Sequence, residues 1–222
     1  MTNLTPIFVA AALMCGVCAA SSTPRFEPGN DLRDFYVGMP VSTMSAEGYK
    51  DRICAGDPSI KIAQWSDYAS CPRDARGLYA VTFKYDNADN PLARVSDTGE
   101  GTAIAGQAVV LTLLIDDKSR LAGLVIVTDP GARLFARRRA HVFGQQVKAR
   151  FGEDGWVCRN APPGGNEEAI GPTFINEHCA KVTATRRFIL DRKLYRYADR
   201  PLRDFVSETR LLILQPELKQ DD

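Results

Sequence analysis

The cysteines carry the most legible chemistry in this 222-residue chain: Cys15, Cys18, Cys54, Cys71, Cys158 and Cys179. Cys15 and Cys18 have the C-x-x-C spacing of a redox pair, but they lie in an apolar stretch that reads as an export signal and leave with it. The remaining four are an even number in an exported chain, which implies two disulfides. Four cysteines allow three pairings. The local pairing, Cys54 with Cys71 and Cys158 with Cys179, is favoured because each pair is close in sequence and sits in its own half. A zinc site is the rival reading. It is weak, because residues 21–222 hold no C-x-x-C knuckle and only His141 and His178 as imidazole ligands. No metal is expected.

Both histidines are candidate general bases. The plainer expectation is that His141 is a surface residue of a helix and that His178 packs in a loop beside Cys179. With the mature cysteines oxidised, no Cys–His dyad can form. The sequence contains no G-x-S-x-G elbow, no G-x-x-x-x-G-K-[ST] loop and no G-x-G-x-x-G after a strand, so no catalytic residue and no cofactor is assigned. Asp86, Asn87, Asp89 and Asn90 suggest a calcium loop, but Ala88 stands at the third ligand position and Pro91 replaces the required glycine. Turn chemistry accounts for them.

The basic residues are the remaining signal. Arg133, Arg137, Arg138, Arg139, Lys148 and Arg150 fall on one predicted helix with no acid among them. Arg137, His141 and Lys148 share one side of it at 100° per residue. Arg139 projects into the apolar stripe, where a buried guanidinium would need a carboxylate. Arg186, Arg187, Arg192, Lys193, Arg196, Arg200 and Arg203 form a second basic region. The plain reading is a solvated face. The functional reading is a patch for an acidic protein surface or anionic lipid, with Arg137, Arg138, His141, Lys148 and the loop around Trp65 as binding candidates. Net charge is +1 and pI near 7.6, which gives no global attraction to nucleic acid.

These groups must be positioned by an exported scaffold. Residues 1–20 read as a signal peptide: an apolar run from Ile7 to Ala20 of signal-peptide length is followed by polar Ser21, with Cys18 and Ala20 at the −3 and −1 positions of a cut. No Lys or Arg precedes the run, which leaves an uncleaved anchor as the alternative. Residues 21–34 are a polar leader, 35–216 an α+β domain with possible halves 35–128 and 129–216, and 217–222 a frayed tail. No later stretch is apolar enough to span a membrane.

Within the domain, Val41, Met44 and Tyr49 are the inner positions of a short helix. Residues 78–85 alternate as a half-buried strand, with Tyr79, Val81, Phe83 and Tyr85 on one face. Residues 108–115 and 121–128 are apolar, β-branched runs around a polar turn, which predicts a hairpin of central strands. Asp129 caps and Pro130 starts a helix over about 132–151, whose inner face carries Phe135, Ala136, Ala140, Val142, Phe143, Val147 and Phe151. Residues 181–190 alternate as another strand, Asp191-Arg192-Lys193 reads as a turn, and 194–197 and 210–214 are further strands. The order predicts an α+β fold: a mostly antiparallel sheet with two main helices packed on it, two local disulfides, and possibly two tandem helix-plus-sheet units.

The segment Phe35-Tyr36-Val37-Gly38-Met39-Pro40-Val41 resembles the short G-M-x-x-x-x-V helix start of BamE-like and β-lactamase-inhibitor-like proteins, without the second valine usual there. The resemblance spans these residues alone. It implies an exported, non-enzymatic helix-plus-sheet module. The residues themselves lead to the same expectation: a periplasmic or secreted accessory protein that binds another exported protein or an envelope component. A secreted enzyme using Asp97, Glu100 or His178, and a small-ligand or metal carrier, are the alternatives.

Overall fold

The computed structural model describes residues 30–86 and 102–218. The predicted signal, the calcium-like stretch after Asp86, Asp97, Glu100 and the end of the tail lie outside these residues.

Ten strands are present among the described residues: β1 (Tyr49–Cys54), β2 (Tyr79–Tyr85), β3 (Ala103–Ile104), β4 (Gln107–Ile115), β5 (Leu121–Thr128), β6 (Val157–Asn160), β7 (Glu167–Glu168), β8 (Ile175–Val182), β9 (Arg187–Tyr197) and β10 (Val206–Leu214). The sheet order is β1-β2-β4-β5-β10-β9-β8-β6, with β3 beside β4 and β7 beside β9. Every pairing is antiparallel. Two four-stranded meanders therefore meet through their last strands, β5 and β10.

The β4–β5 hairpin forms where the sequence places it. Asp116 closes its turn: the carboxylate Oδ1 accepts from the N–H groups of Lys118 at 2.9 Å and Arg120 at 2.8 Å. β4 lies between β2 and β5, and β5 between β4 and β10, so both are central and apolar on both faces.

One face of the sheet carries the main core. Leu111, Leu113, Leu124, Leu190, Leu211 and Ile213 are essentially inaccessible there. Over the first meander this face is covered by an irregular N-terminal layer containing Leu32, Phe35, Met39, Val41 and Met44, together with Trp65 and Tyr68 from a 3-10 turn, Trp65–Ser70. Over the second it is covered by helical residues 140–151, which contribute Ala140, Phe143 and Val147. The N-terminal layer is locked to the far half by Asp31, which is 3% exposed, pairs with Arg186 and accepts the Val37 N–H at 2.8 Å.

Among the described residues two disulfides are present, Cys54–Cys71 and Cys158–Cys179. Each holds an edge strand: Cys54 ends β1, and Cys158 in β6 is the register partner of Cys179 in β8. Edge strands expose unpaired backbone groups, and a covalent tie keeps them seated.

The helical content is smaller than the sequence suggests. The expected short helix after Pro40 is a single 3-10 turn, Val41–Thr43, although Val41, Met44 and Tyr49 are all buried. The expected long helix is broken into α1 (Leu134–Arg138), a 3-10 turn (Ala140–Val142) and α2 (Phe143–Phe151). Asp129 does not cap it; its carboxylate accepts the Gly131 N–H at 2.8 Å in a turn, and Arg133 occupies the N-cap position of α1. The break falls at Arg139, at φ −102° and ψ 0°. Like charges at Arg133 and Arg137 weaken the first turns, while the break lets the carbonyl of Ala140 accept the buried Thr209 hydroxyl at 2.8 Å. α1 is thereby left without a buried residue, and Phe135, expected inside, is 73% exposed.

The strand expected over 181–190 is also corrected. It straddles a hairpin: β8 ends at Val182 and β9 begins at Arg187. Thr183 makes the turn, its N–H donating to the Arg186 carbonyl at 2.8 Å and its hydroxyl oxygen accepting the Arg186 N–H at 3.1 Å. Asp191, Arg192 and Lys193 then lie inside β9 rather than in a turn.

Candidate functional site

Strand alternation distributes the charged residues of β8, β9 and β10 over both faces. On the covered face, Thr209, Arg192 and Glu177 form one rung, paired in register from β10 to β9 to β8. Glu177 receives Lys148 Nζ at 3.0 Å and Arg192 Nη1 at 2.7 Å. Arg192 also donates through Nε to the carbonyl of His141 at 3.1 Å. Gly144 makes this approach possible: a Cβ there would lie 2.2 Å from Arg192 Cδ. The guanidinium arm thus runs directly under α2.

Burial alone would raise the Glu177 carboxyl, but hydrogen bonds and charge from Lys148 and Arg192 outweigh it and hold the carboxyl below its ordinary value. His141 moves down as well, through burial first and the Arg192 charge second. Its Nδ1 lies 3.4 Å from the Ser207 hydroxyl. A carboxylate clamped by two cations is a poor proton carrier. This cluster fastens the helix to the sheet.

The signs give a test. His141 is favoured neutral in the folded state, so its contribution is complete above its ordinary value of 6.5 and is lost as pH falls below it. Glu177 contributes above 4.5 and loses that contribution on further acidification through its folded value. The melting temperature is expected to fall in two stages on acidification. His141→Gln should flatten the first stage and leave the second. An unchanged first stage in that variant would show that another group titrates there.

The opposite sheet face carries a second ladder: Arg210, Asp191, His178 and Arg159 pair in register across β10, β9, β8 and β6. His178 is in a strand, not a loop, and its Nδ1 lies 2.7 Å from Asp191 Oδ1. A carboxylate-oriented imidazole is half of a nucleophile-activating arrangement. The register neighbours of this pair are the two arginines, and no hydroxyl or thiol stands beside it in the ladder. Cys158, Glu177 and Cys179 bring potential metal ligands together, but both sulfurs are bonded to each other, which removes them as thiolates.

The residues expected to bind do not form one patch. Trp65 is 3% exposed, and its indole N–H donates to the Ser45 carbonyl at 2.7 Å; it is a core anchor. Lys148 is engaged with Glu177, and the Arg137 guanidinium lies 5.4 Å from the Phe205 ring. His141 is half-buried against β10, and Arg138 is exposed. Arg139 is exposed and lies over the Phe135 ring at 5.6 Å, so it needs no buried carboxylate. In the second basic region, Arg186, Arg192 and Arg196 pair with Asp31, Glu177 and Glu168.

Register creates one feature that no single segment of the sequence shows, on the sheet face that carries no helix among the described residues. Ile53, Thr82, Thr112, Val125, Leu212, Ile189, Ala180 and Val157 are successive partners from β1 to β6. This is an uncharged rung crossing the eight strands of the sheet order, about 34 Å at ordinary strand spacing; Leu212 and Ile189 at its centre are buried, Val157 is exposed and the other five are half-buried. Leu78 and Leu218 are the residues from outside the strands that join the buried cluster on this face. The helices and the Trp65–Ser70 turn pack on the other side.

The chain matches no protein-family model, no curated protein and no solved structure. The reading of its function therefore rests on its own chemistry. Two disulfides fit an oxidising compartment. Among the described residues no helix is long and apolar enough to cross a membrane.

Proposed function

We propose that this is an exported, non-enzymatic accessory protein, acting in the periplasm or outside the cell, whose uncovered sheet face binds another exported protein. The observation that carries the reading is the uncharged rung across the eight strands of the sheet order, whose accessible parts are Ile53, Thr82, Thr112 and Val125 on one side of the buried Leu212 and Ile189 and Ala180 and Val157 on the other. A continuous apolar-to-neutral stripe with a charged border is the composition of a protein-binding surface. The stripe is long enough for an interface of standard size.

The border indicates the partner's chemistry. On one side of the rung stand Arg210 and Arg159, and Lys193 lies farther along the same face. The acids on this face of β9 and β10 are Asp191, engaged by His178, and Glu208, the register partner of Lys193. Cations outnumber acids along this border, which suits an apolar ridge flanked by carboxylates. The two meanders, read as tandem units, form one platform, and the disulfides keep its edges from pairing with other chains.

The test is a double variant, Thr112→Arg with Ala180→Arg, which places two cations in the rung on strands of different meanders. A partner from the exported fraction should be retained by the native protein and lost by the variant, with melting temperatures close to each other. Equal retention by both would defeat the sheet-face reading. Loss of the partner on charge reversal at Arg137 and Arg138 instead would move the surface to the basic helical segment.

A further inference from the structure

On the covered side of the sheet, α1 meets the loop that joins the end of β9 at Tyr197 to the start of β10 at Val206. The Arg137 guanidinium lies 5.4 Å from the Phe205 ring and brings the two segments together. Between them is a groove of about 560 Å³, lined by Ile170, Leu194, Leu202 and Phe205 with Arg138 and Arg203. Leu194 pairs in register with Ser207, two residues along from the Arg192–Thr209 pair, which fixes the groove on the covered face.

The surroundings of this groove are apolar and cationic at once. Phe135 is 73%, Leu202 70% and Leu134 41% exposed. A single exposed apolar side chain is ordinary; three on two neighbouring segments, interleaved with arginines, are a surface with a purpose. Arg138 follows Leu134 and Arg139 follows Phe135 by four positions, so each arginine neighbours an apolar side chain. The Arg139 guanidinium lies over the Phe135 ring at 5.6 Å. Arg200 and Arg203 stand on either side of Leu202, and both are exposed. No acid occurs from Gly131 to Phe151. The loop supplies two: Asp199 accepts the Asn166 amide N–H at 3.1 Å, and Asp204 lies 3.9 Å from Arg203 in an exposed pair of the kind worth little. A cationic excess is therefore concentrated here in a chain whose net charge is only +1.

An acidic protein and an anionic lipid surface both carry the opposite charge, and the apolar residues choose between them. A protein interface packs its apolar side chains into a central core depleted of charge and puts the charges at the rim. Here the apolar tips project from two short segments with guanidinium groups between them. That interleaving suits the headgroup layer of a bilayer, where apolar tips reach the acyl boundary and arginine stems lie alongside while their charges stay level with the phosphates. We infer that this end of the molecule docks on the surface of an anionic lipid bilayer, with Phe135 and Leu202 entering the headgroup layer and Arg138, Arg139, Arg200 and Arg203 meeting the lipid phosphates. The contact is peripheral and reversible. It does not use the uncovered rung, so it stands or falls separately from the protein partner proposed above.

The test is flotation of the full chain with vesicles of phosphatidylcholine alone and of phosphatidylcholine with about one-third phosphatidylglycerol. Residues 1–20 carry no charged side chain, so their contribution is common to every variant. Binding should be at least about tenfold stronger to the anionic vesicles, and should weaken as salt is raised from about 0.15 to about 0.5 M. Arg138→Glu with Arg203→Glu should lower it by at least about 25-fold, about fivefold for each positive charge lost. Phe135→Ser with Leu202→Ser should lower it about tenfold through lost apolar contact. In Phe135→Trp, the emission should shift blue on anionic vesicles relative to the native protein, whose own tryptophans are Trp65 and Trp156. All these side chains are exposed, so melting temperatures should stay at the native value, which separates lost binding from lost folding. Equal binding to both vesicle types, undiminished binding by the charge-reversed variant, or no blue shift in Phe135→Trp would overturn the proposal. An acidic protein held through Arg138 and Arg203 without any vesicle binding would overturn it in favour of a protein site.

Discussion

Phe35→Ala is expected to cost about 3–5 kcal/mol, the range for truncating a fully buried phenylalanine. Phe35 is 0% exposed. Its ring centre lies 4.7 Å from Tyr49, 5.6 Å from Trp65 and 5.6 Å from Phe83, so it is the N-terminal layer's contribution to the aromatic cluster. Edge and tilted ring contacts of this kind add to simple burial. The segment that contributes Phe35 has no long helix or strand of its own; it is held over β1 and β2 by side-chain packing and a few backbone bonds. The cavity left by truncation cannot be refilled by a shift of regular structure, which places the cost toward the upper end. Total stabilities of about 5–15 kcal/mol make such a loss a large fraction of the whole. Denaturant midpoints measure it, and Trp65 emission should shift red as the cover loosens. Phe135→Ala is the control: its side chain is 73% exposed, and a change within about 0.5 kcal/mol is expected. A cost below about 1 kcal/mol at Phe35 would mean that the N-terminal layer does not seal the core.

The parts of the fold that were legible are those where one strand's own pattern is enough. The hairpin over 108–128 reads directly, because two β-branched runs flank the Asp116 turn and both strands are central. The local disulfide pairs read from spacing. Residues 181–190 misled because alternation with a period of two continues unbroken through a tight hairpin. The turn at Thr183–Arg186 holds itself with a threonine hydroxyl and uses neither glycine nor proline. Asp191, Arg192 and Lys193 look like a turn because they are polar in succession. In the strand they alternate: Asp191 meets His178 on the open face, Arg192 meets Glu177 under the helix, and Lys193 returns to the open face. The periodicity of 132–151 correctly marked Ala140, Phe143 and Val147 as inner residues, but it could not show the break at Arg139, which tertiary contacts with Thr209 favour.

The candidate surface was illegible for a stronger reason. The rung from Ile53 to Val157 takes one residue from each of eight strands, and none of the eight is unusual in its own segment. Only the register aligns them. Residue type announced charge and cysteine chemistry, and these turned out to fasten the scaffold: Glu177 to Lys148 and Arg192, Asp31 to Arg186, and the cysteines to one another. The surface proposed for binding is made of plain residues brought together by topology.

The two disulfides should therefore differ in what their removal does. In the chain-entropy picture the loops are nearly the same, with sequence separations of 17 and 21, and each bond is worth about 3 kcal/mol. Their surroundings are not alike. Cys54 is 0% and Cys71 4% exposed, and the loop they close holds Trp65 and Tyr68 in the core. Replacing both with alanine removes buried sulfur as well as the cross-link, and frees a segment on which the aromatic cluster depends. The expected cost is about 4–5 kcal/mol, the entropic part plus a packing part of about 1–2 kcal/mol. Cys158 is exposed and Cys179 is 0% exposed, so one buried sulfur rather than two is lost, and β6 is already paired to β8 along its length; alanine at Cys158 and Cys179 should cost about 3–4 kcal/mol. Part of that loss should appear as local opening. Hydrogen exchange separates the two cases. The Cys54/Cys71 variant should exchange faster across the N-terminal layer and β1, and the Cys158/Cys179 variant mainly in β6. Equal losses of stability with identical exchange patterns would mean that loop closure alone sets both values and that the packing around Cys54 adds nothing. A drop in stability for the Cys158/Cys179 variant larger than for the other would place the more important staple at the β6 edge of the sheet.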